Sequence, residues 1–172
     1  RPEFDVALAR RLQPEPPRPF FSETSLLLSS SGTTGSPKLI RLSQTNLLSN
    51  ALSIIDYLKL NSSDRSLSSL PLSYSFGLSL LNTHLLAGAS FVLTGESLLS
   101  PAFWKLFSES SCSSLAGVPF SLQILKKVGF HRFLPASFRM LNQAGGRLDA
   151  DLQRYFHALL AERNASLFVM YG

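Results

Sequence analysis

Residues 26–38 read LLLSSSGTTGSPK: three leucines, then a run of small and hydroxyl-bearing residues that ends in Pro-Lys. The leucines predict the end of a buried strand, and the polar run predicts a loop that follows it directly. Its glycines carry no Cβ that would block the approach of a ligand to the backbone, and its hydroxyls and lysine are hydrogen-bond donors. The loop is therefore predicted to hold a polyphosphate through Ser30, Ser31, Gly32, Thr33, Thr34, Gly35 and Lys38.

This loop is not of the Walker A type, because Pro37 precedes the lysine and Leu39 follows it. A flexible Ser/Gly linker is the alternative interpretation. The position of the loop between two apolar segments, with Pro-Lys at its end, favours the phosphate site.

Short apolar runs alternate with amphipathic patterns along the rest of the chain. They predict strands at 25–29, 39–42, 66–70, 90–94, 114–117, 138–143 and 166–170, and helices at 45–58, 76–87, 101–109, 119–128 and 149–162. Repeated strand–helix–strand units require crossovers between parallel strands. We therefore predict an α/β fold, a layered and mainly parallel sheet flanked by helices.

Ligands of such sheets bind outside the carboxyl ends of the strands. Three segments are predicted to lie there: the loop at 30–38, the pair Gly145-Gly146, and the terminal Tyr171-Gly172. Residues 1–23 are rich in proline, which predicts an extended arm or linker before a partial α/β domain at 24–172. The chain begins with Arg1 rather than Met, so we expect a segment of a longer protein.

Composition excludes several classes of function. The net charge is +5, but the basic residues are scattered, so nucleic-acid binding is not predicted. Cys112 is the only cysteine, which rules out an intramolecular disulfide and favours a buried thiol in a cytoplasmic protein. Residues 66–95 carry no charge, yet Pro71 and Gly77 interrupt them, so no membrane span is predicted.

The chain resembles the adenylate-forming superfamily, because residues 27–38 match a signature of that superfamily at every position. This superfamily comprises acyl- and aryl-CoA synthetases, luciferases and the adenylation domains of peptide synthetases. Family members usually continue with Gly and then Thr-His-x-Asn. Here Leu39 replaces the glycine, and Gln44 replaces the histidine.

Two further regions resemble the same family. Residues 70–77, LPLSYSFG, are similar to its Pro-Leu-x-His/aromatic-x-x-Gly segment, in which Tyr74 takes the position between acyl pocket and nucleotide. A buried core tyrosine is the alternative interpretation. The segment around Val118 resembles one beside the acyl pocket. Residues 143–148 and 169–172 resemble the segments that enclose the adenine, which implies contacts with Gly145, Gly146, Arg147, Met170, Tyr171 and Gly172.

The resemblance implies a fragment of the large N-terminal domain of an ATP-dependent carboxylic acid ligase. Such an enzyme forms an acyl adenylate from a small-molecule acid and passes the acyl group to coenzyme A or to the phosphopantetheine of a carrier protein. The Mg²⁺ ligand is expected just beyond Gly172, and no catalytic or metal-binding residue is assigned within the chain. The chain alone is therefore predicted to be inactive. The alternative is a non-catalytic nucleotide-binding or interaction module that retains the fold.

Overall fold

A computed structural model describes residues 21–29 and 38–171. The chain divides into two compact units, Arg1–Gln44 and Thr45–Gly172. The predicted arm at 1–23 lies outside the described residues except for its last three positions.

The first unit contains a two-stranded antiparallel sheet formed by β1 (Thr24–Ser29) and β2 (Leu39–Ser43). β1 is not a strand of the parallel sheet, so the prediction that it belongs to that sheet was wrong. The physical reason is chain length. A parallel connection needs a crossover of roughly a dozen residues or more, and only residues 30–38 separate these two strands.

The second unit contains a five-stranded parallel sheet with the strand order β4-β3-β5-β6-β7. Its strands are β3 (Arg65–Leu67), β4 (Ser90–Val92), β5 (Ser114–Gly117), β6 (Met140–Gln143) and β7 (Ser166–Val169). The predicted α/β architecture with a parallel sheet is thereby confirmed.

Five helices accompany this sheet: α1 (Gln44–Leu58), α2 (Ser75–Leu86), α3 (Pro101–Glu109), α4 (Pro119–Val128) and α5 (Ala150–Ala161). Successive residues of a strand point to opposite faces, so each strand contributes to two cores. Leu141 belongs to the large core with residues of α3, α4 and α5, whereas Met140 packs with Leu58 of α1. Cys112 is buried in the large core, and burial raises the pKa of its thiol to about 11.

The bounds of α3, β5 and α4 are as predicted. Asp149 caps α5 by accepting hydrogen bonds from the N–H groups of Asp151 and Leu152 at 2.9 and 3.1 Å. A 3₁₀-helix at Phe130–Phe133 was not predicted. Among the described residues, no helix combines the length and hydropathy needed to cross a membrane.

The strand order places a topological switch beside β3. The chain passes from β3 to β4 on one side through α2, and then returns through α3 to β5 on the other side. A crevice for ligands forms outside the carboxyl ends of the strands at such a point.

Candidate functional site

A cavity of about 470 Å³ lies at the carboxyl edge of the parallel sheet. It is bounded by α1, α2 and the segments that follow β3, β6 and β7. Among the described residues, no charged side chain lines it. The lining residues are Asn50, Ser53, Ile54, Tyr57, Tyr74, Ser75, Phe76, Ser79, Leu80, Ala144, Gly145, Val169, Met170 and Tyr171.

Tyr74 is placed at the cavity by the turn that precedes α2. Its N–H donates to the carbonyl of Pro71 at 3.1 Å, and the residue then serves as the N-cap position of the helix. A Cβ on Gly77 would lie 2.2 Å from the same carbonyl oxygen, so only glycine lets the first turn of α2 pack this closely. The glycine of the LPLSYSFG segment thus fixes where the tyrosine stands.

Gly145 is the point where three predicted segments meet. Its φ of +77° lies in the left-handed region, which glycine adopts without strain. A Cβ there would lie 2.7 Å from Tyr74 Oη and 3.1 Å from Val118 Cγ1. The structure therefore brings Tyr74, Val118 and Gly145 together, although they are far apart in sequence.

Neighbouring strands hold this glycine turn. The N–H of Ala144 donates to the carbonyl of Gly117 at 3.4 Å, and the N–H of Met170 donates to the carbonyl of Gln143 at 2.7 Å. The side chain of Gln143 adds two donations of its own, to the carbonyls of Ala144 and Gly146 at 3.0 and 2.9 Å. The turn is thus connected to β5, to β7 and to its own strand.

The other predicted site residues differ in their placement. Met170 lines the cavity, and Tyr171 does so with a fully exposed side chain. Arg147 is exposed and is not among the lining residues. Lys38 is exposed and belongs to the first unit. The other phosphate-loop residues and one adenine-site residue lie outside the described residues: Ser30, Ser31, Gly32, Thr33, Thr34, Gly35 and Gly172.

Comparison with known proteins identifies the family. The family model described as AMP-binding enzyme matches residues 3–172. The chain belongs to the AMP-binding enzyme family. The matched range includes most of the residues predicted as an arm.

Individual relatives of this AMP-binding chain agree with the family match. Sulfoacetate–CoA ligase from Cupriavidus necator is 32% identical over 83% of the chain and 28% of its own length. Acyl-CoA synthetase ALT10 from Alternaria alternata is 36% identical over 74% of the chain and 23% of its own length. The chain thus spans about a quarter of the length of these curated relatives.

A solved structure gives the same result for the fold. A double mutant of o-succinylbenzoate CoA synthetase from Bacillus subtilis, bound with its product analogue, is 27% identical with a TM-score of 0.72. The match covers 87% of the AMP-binding chain and 29% of that protein.

Sequence reasoning missed the contribution of α1 to the cavity. The prediction assigned one apolar face to this helix, but the cavity is lined by a neighbouring stripe of Asn50, Ser53, Ile54 and Tyr57. These positions have the i, i+3, i+4, i+7 spacing of a helix face. The mixed polarity of that stripe was the available signal, because a stripe bordering a ligand cavity need not be uniformly apolar.

At the opposite, amino edge of the sheet, a network of hydrogen bonds and one ion pair surrounds the carboxylate of Asp64. This carboxylate is 2% exposed and forms an ion pair with Arg139, whose Nε donates to it at 2.6 Å. Ser113 Oγ and the N–H of Asn61 donate to the same carboxylate at 2.8 and 3.0 Å. Burial by itself would raise the pKa of Asp64, but these hydrogen bonds and the positive charge of Arg139 hold it below its ordinary value.

His84 of α2 is buried between the helix and the sheet. Its Nδ1 lies 2.7 Å from the carbonyl oxygen of Leu80, and its Nε2 lies 3.5 Å from Ser114 Oγ. Burial lowers the pKa of His84, which keeps the ring neutral near pH 7. Within the described ranges, no three His, Cys, Asp or Glu side chains lie together as a group that could hold a metal ion.

Proposed function

We propose that the protein to which this chain belongs is an ATP-dependent carboxylic acid–CoA ligase. The carboxylate of a small-molecule acid attacks the α-phosphate of ATP, which forms an acyl adenylate and releases pyrophosphate. The thiol of coenzyme A then attacks the acyl carbonyl and releases AMP. Membership of the AMP-binding family and relatives named as CoA ligases and synthetases support this proposal.

The observation that carries the proposal is the meeting of Tyr74, Val118 and Gly145 at the carboxyl edge of the sheet. In this proposal the adenine lies along the backbone of Gly145 and Gly146 and stacks on the exposed ring of Tyr171. A glycine backbone permits close approach of a flat base, and an aromatic ring offers a stacking face. Tyr74 then separates the nucleotide from the acyl group.

The lining of the cavity favours an acid whose acyl part carries no second charge. A buried charge needs a counter-ion or several hydrogen bonds, and no Lys or Arg is among the described residues that line the cavity. This distinguishes the proposed substrate from that named for the sulfoacetate–CoA ligase, which carries a second anionic group. The hydroxyl and amide groups of Ser53, Ser79 and Asn50 permit a neutral polar substituent.

Loop 30–38 and Lys38 are proposed to hold the β- and γ-phosphates. Catalysis by such a loop is positioning and charge neutralisation of the departing pyrophosphate. Mg²⁺ bound with ATP would add positive charge there, and its ligands remain expected outside the described residues. Phosphopantetheine on a carrier protein is the alternative acceptor, and a cytoplasmic location is part of the proposal.

The test is acid-dependent ATP–pyrophosphate exchange by the full-length protein, over a panel of alkanoic, aryl, amino and dicarboxylic acids. We expect exchange with uncharged acyl parts and AMP release on addition of coenzyme A. A folded protein that supports no exchange with any acid would contradict the proposal. The non-catalytic alternative is not favoured, because the relatives are named as ligases and synthetases.

Lys38→Ala separates the phosphate role from folding. We expect exchange to fall by about tenfold or more, because a charge-assisted contact to phosphate is lost, while the melting temperature stays unchanged. Lys105→Ala is the matched control, because the ammonium of Lys105 pairs with Glu109 on the exposed side of α3. Equal exchange rates in Lys38→Ala and the wild type would show that Lys38 does not take part in phosphate binding.

A further inference from the structure

Gln143 is a completely buried amide at the carboxyl end of β6, immediately before the glycine turn. Its Nε2 donates to the carbonyls of Ala144 and Gly146, which flank Gly145. Only the amide nitrogen can donate to two carbonyls, so chemistry fixes the orientation of this side chain. The two hydrogen bonds span the residue that meets Tyr74 and the cavity.

We propose that Gln143 is a positioning residue for nucleotide binding, acting through the Gly145-Gly146 turn. This inference rests on the proposed function, because it takes that turn to be the surface on which the adenine lies. By strand alternation Gln143 shares a face with Leu141, which packs in the core with α3–α5, and it is not among the described residues that line the cavity. We therefore expect it to act without direct contact with the nucleotide.

The backbone alone leaves this turn weakly determined. Glycine has the greatest conformational freedom of any residue, and two consecutive glycines lose the most entropy when they are ordered. The hydrogen bonds to β5 and β7 hold the residues that enter the turn and the strand beside it, but not the carbonyl of Gly146. The donation from Gln143 to that carbonyl is therefore the contact that fixes the far side of the turn.

Asn142 provides an internal comparison. It is the preceding residue of the same strand, is 1% exposed, and carries the same functional group. Its register neighbours are Ala116 and Phe168, and neither its Oδ1 nor its Nδ2 has a hydrogen-bond partner within the described residues. Removing this amide tests the effect of altering a buried polar group in β6 without altering the turn.

The first measurement compares Gln143→Met with Asn142→Leu in the full-length protein. Both replacements keep the length or branching of the side chain and remove its hydrogen-bonding groups. We expect Gln143→Met to raise the KM for ATP by about tenfold, with kcat and the KM for the acid changed by less than about twofold. Asn142→Leu should leave the KM for ATP unchanged. Equal KM values for ATP in Gln143→Met and the wild type would overturn the proposal.

The second measurement does not depend on catalysis. Amide hydrogen exchange of the peptide that covers residues 144–148 reports how well the turn is held. We expect faster exchange in Gln143→Met and wild-type rates in Asn142→Leu. Unchanged exchange in both variants would overturn the positioning role. Faster exchange in Gln143→Met, in a protein that shows no acid-dependent ATP turnover, would support the positioning role while refuting the proposed function.

Gln143→Glu tests the same hydrogen bonds by titration, because the same two polypeptides, the variant and the wild type, are compared at each pH. A carboxylate cannot donate to the two carbonyls, whereas a protonated carboxyl can donate to one of them. Burial raises the pKa of a carboxyl group, so the introduced carboxylate becomes protonated as the pH falls towards neutral and below. We expect the KM for ATP of Gln143→Glu, relative to that of the wild type, to fall severalfold between about pH 8 and about pH 6. A ratio that does not change with pH would contradict the hydrogen-bonding role.

Discussion

The two edges of the parallel sheet differ in how their polar groups are hydrogen-bonded and in how exposed their side chains are. At the amino edge, the carboxylate of Asp64 is buried and receives hydrogen bonds from Arg139, Ser113 and Asn61. At the carboxyl edge, the buried amide of Asn142 has no hydrogen-bond partner among the described residues, and Tyr171 is fully exposed. The same strands therefore end in a closed network of polar groups on one side, and in an unpaired buried amide and an accessible aromatic ring on the other.

This difference separates stability from binding. A buried charge that lost its partner would destabilise the fold strongly, so the amino edge is complete without a ligand. The accessible ring of Tyr171 lies where a ligand is expected to bind, whereas the unpaired amide of Asn142 is buried and affects stability. Mutations in the amino-edge network and at Asn142 should therefore act through unfolding, and mutations in the glycine turn mainly through activity.

The largest expected effect is at the amino edge. Arg139→Met leaves the carboxylate of Asp64 buried without its cation, which we expect to lower the free energy of unfolding by about 3 kcal/mol. Urea denaturation measures this change. Arg154→Met is the matched control, because Arg154 pairs with Asp151 on the exposed side of α5 and should contribute little. A similar decrease in the free energy of unfolding in both variants would show that the buried ion pair contributes no more to stability than the exposed one.

The next effect is at the carboxyl edge. Gly145→Ala forces a Cβ into the left-handed region and within 2.7 Å of Tyr74 Oη. We expect this strain to cost about 2 kcal/mol within the turn and thereby to lower the rate of ATP–pyrophosphate exchange. The unfolding midpoint of the rest of the domain should change little. In the double variant with Tyr74→Phe the hydroxyl is absent, so part of the rate should return. A double variant no faster than Gly145→Ala would show that contact with Tyr74 is not the cause.

The sequence predicted the carboxyl edge better than the amino edge. Gly145, Tyr74 and Val118 lie in short motifs that resemble family segments, and the strand–helix alternation predicted that Gly145 follows a strand. Asp64 and Arg139 are 75 residues apart, each in a segment without a motif, so their pairing follows only from the strand order. For the same reason β1 was assigned to the wrong sheet: local pattern identifies a strand but not its neighbour.

A smaller effect is expected from Asn142→Leu, and its sign is opposite. An unpartnered buried amide is costly, and leucine keeps its branching without polar atoms. We expect the free energy of unfolding to rise by about 1 kcal/mol, measured in urea without nucleotide or acid. Asn142→Ala is the comparison variant, since it removes the amide but leaves a cavity and should not stabilise. Destabilisation by Asn142→Leu would mean that the amide has an undetected partner or that the site cannot hold the larger side chain.

The smallest effect is the loss, at acid pH, of the stability that the ion pair of Asp64 contributes at the amino edge. A replacement at Asn142, near the carboxyl edge, should show no such loss. The pKa of Asp64 is lowered from its ordinary value of 3.8, so the ion pair contributes stability above that value and loses it as the pH falls through the folded-state pKa. The difference in unfolding free energy between the wild type and Asp64→Asn should therefore be constant near neutral pH and narrow below about pH 3.8. Urea denaturation at several pH values measures it. The difference between the wild type and Asn142→Leu should show no such narrowing, because the replaced amide does not titrate. If both differences narrowed together, general acid unfolding rather than the amino-edge network would be responsible.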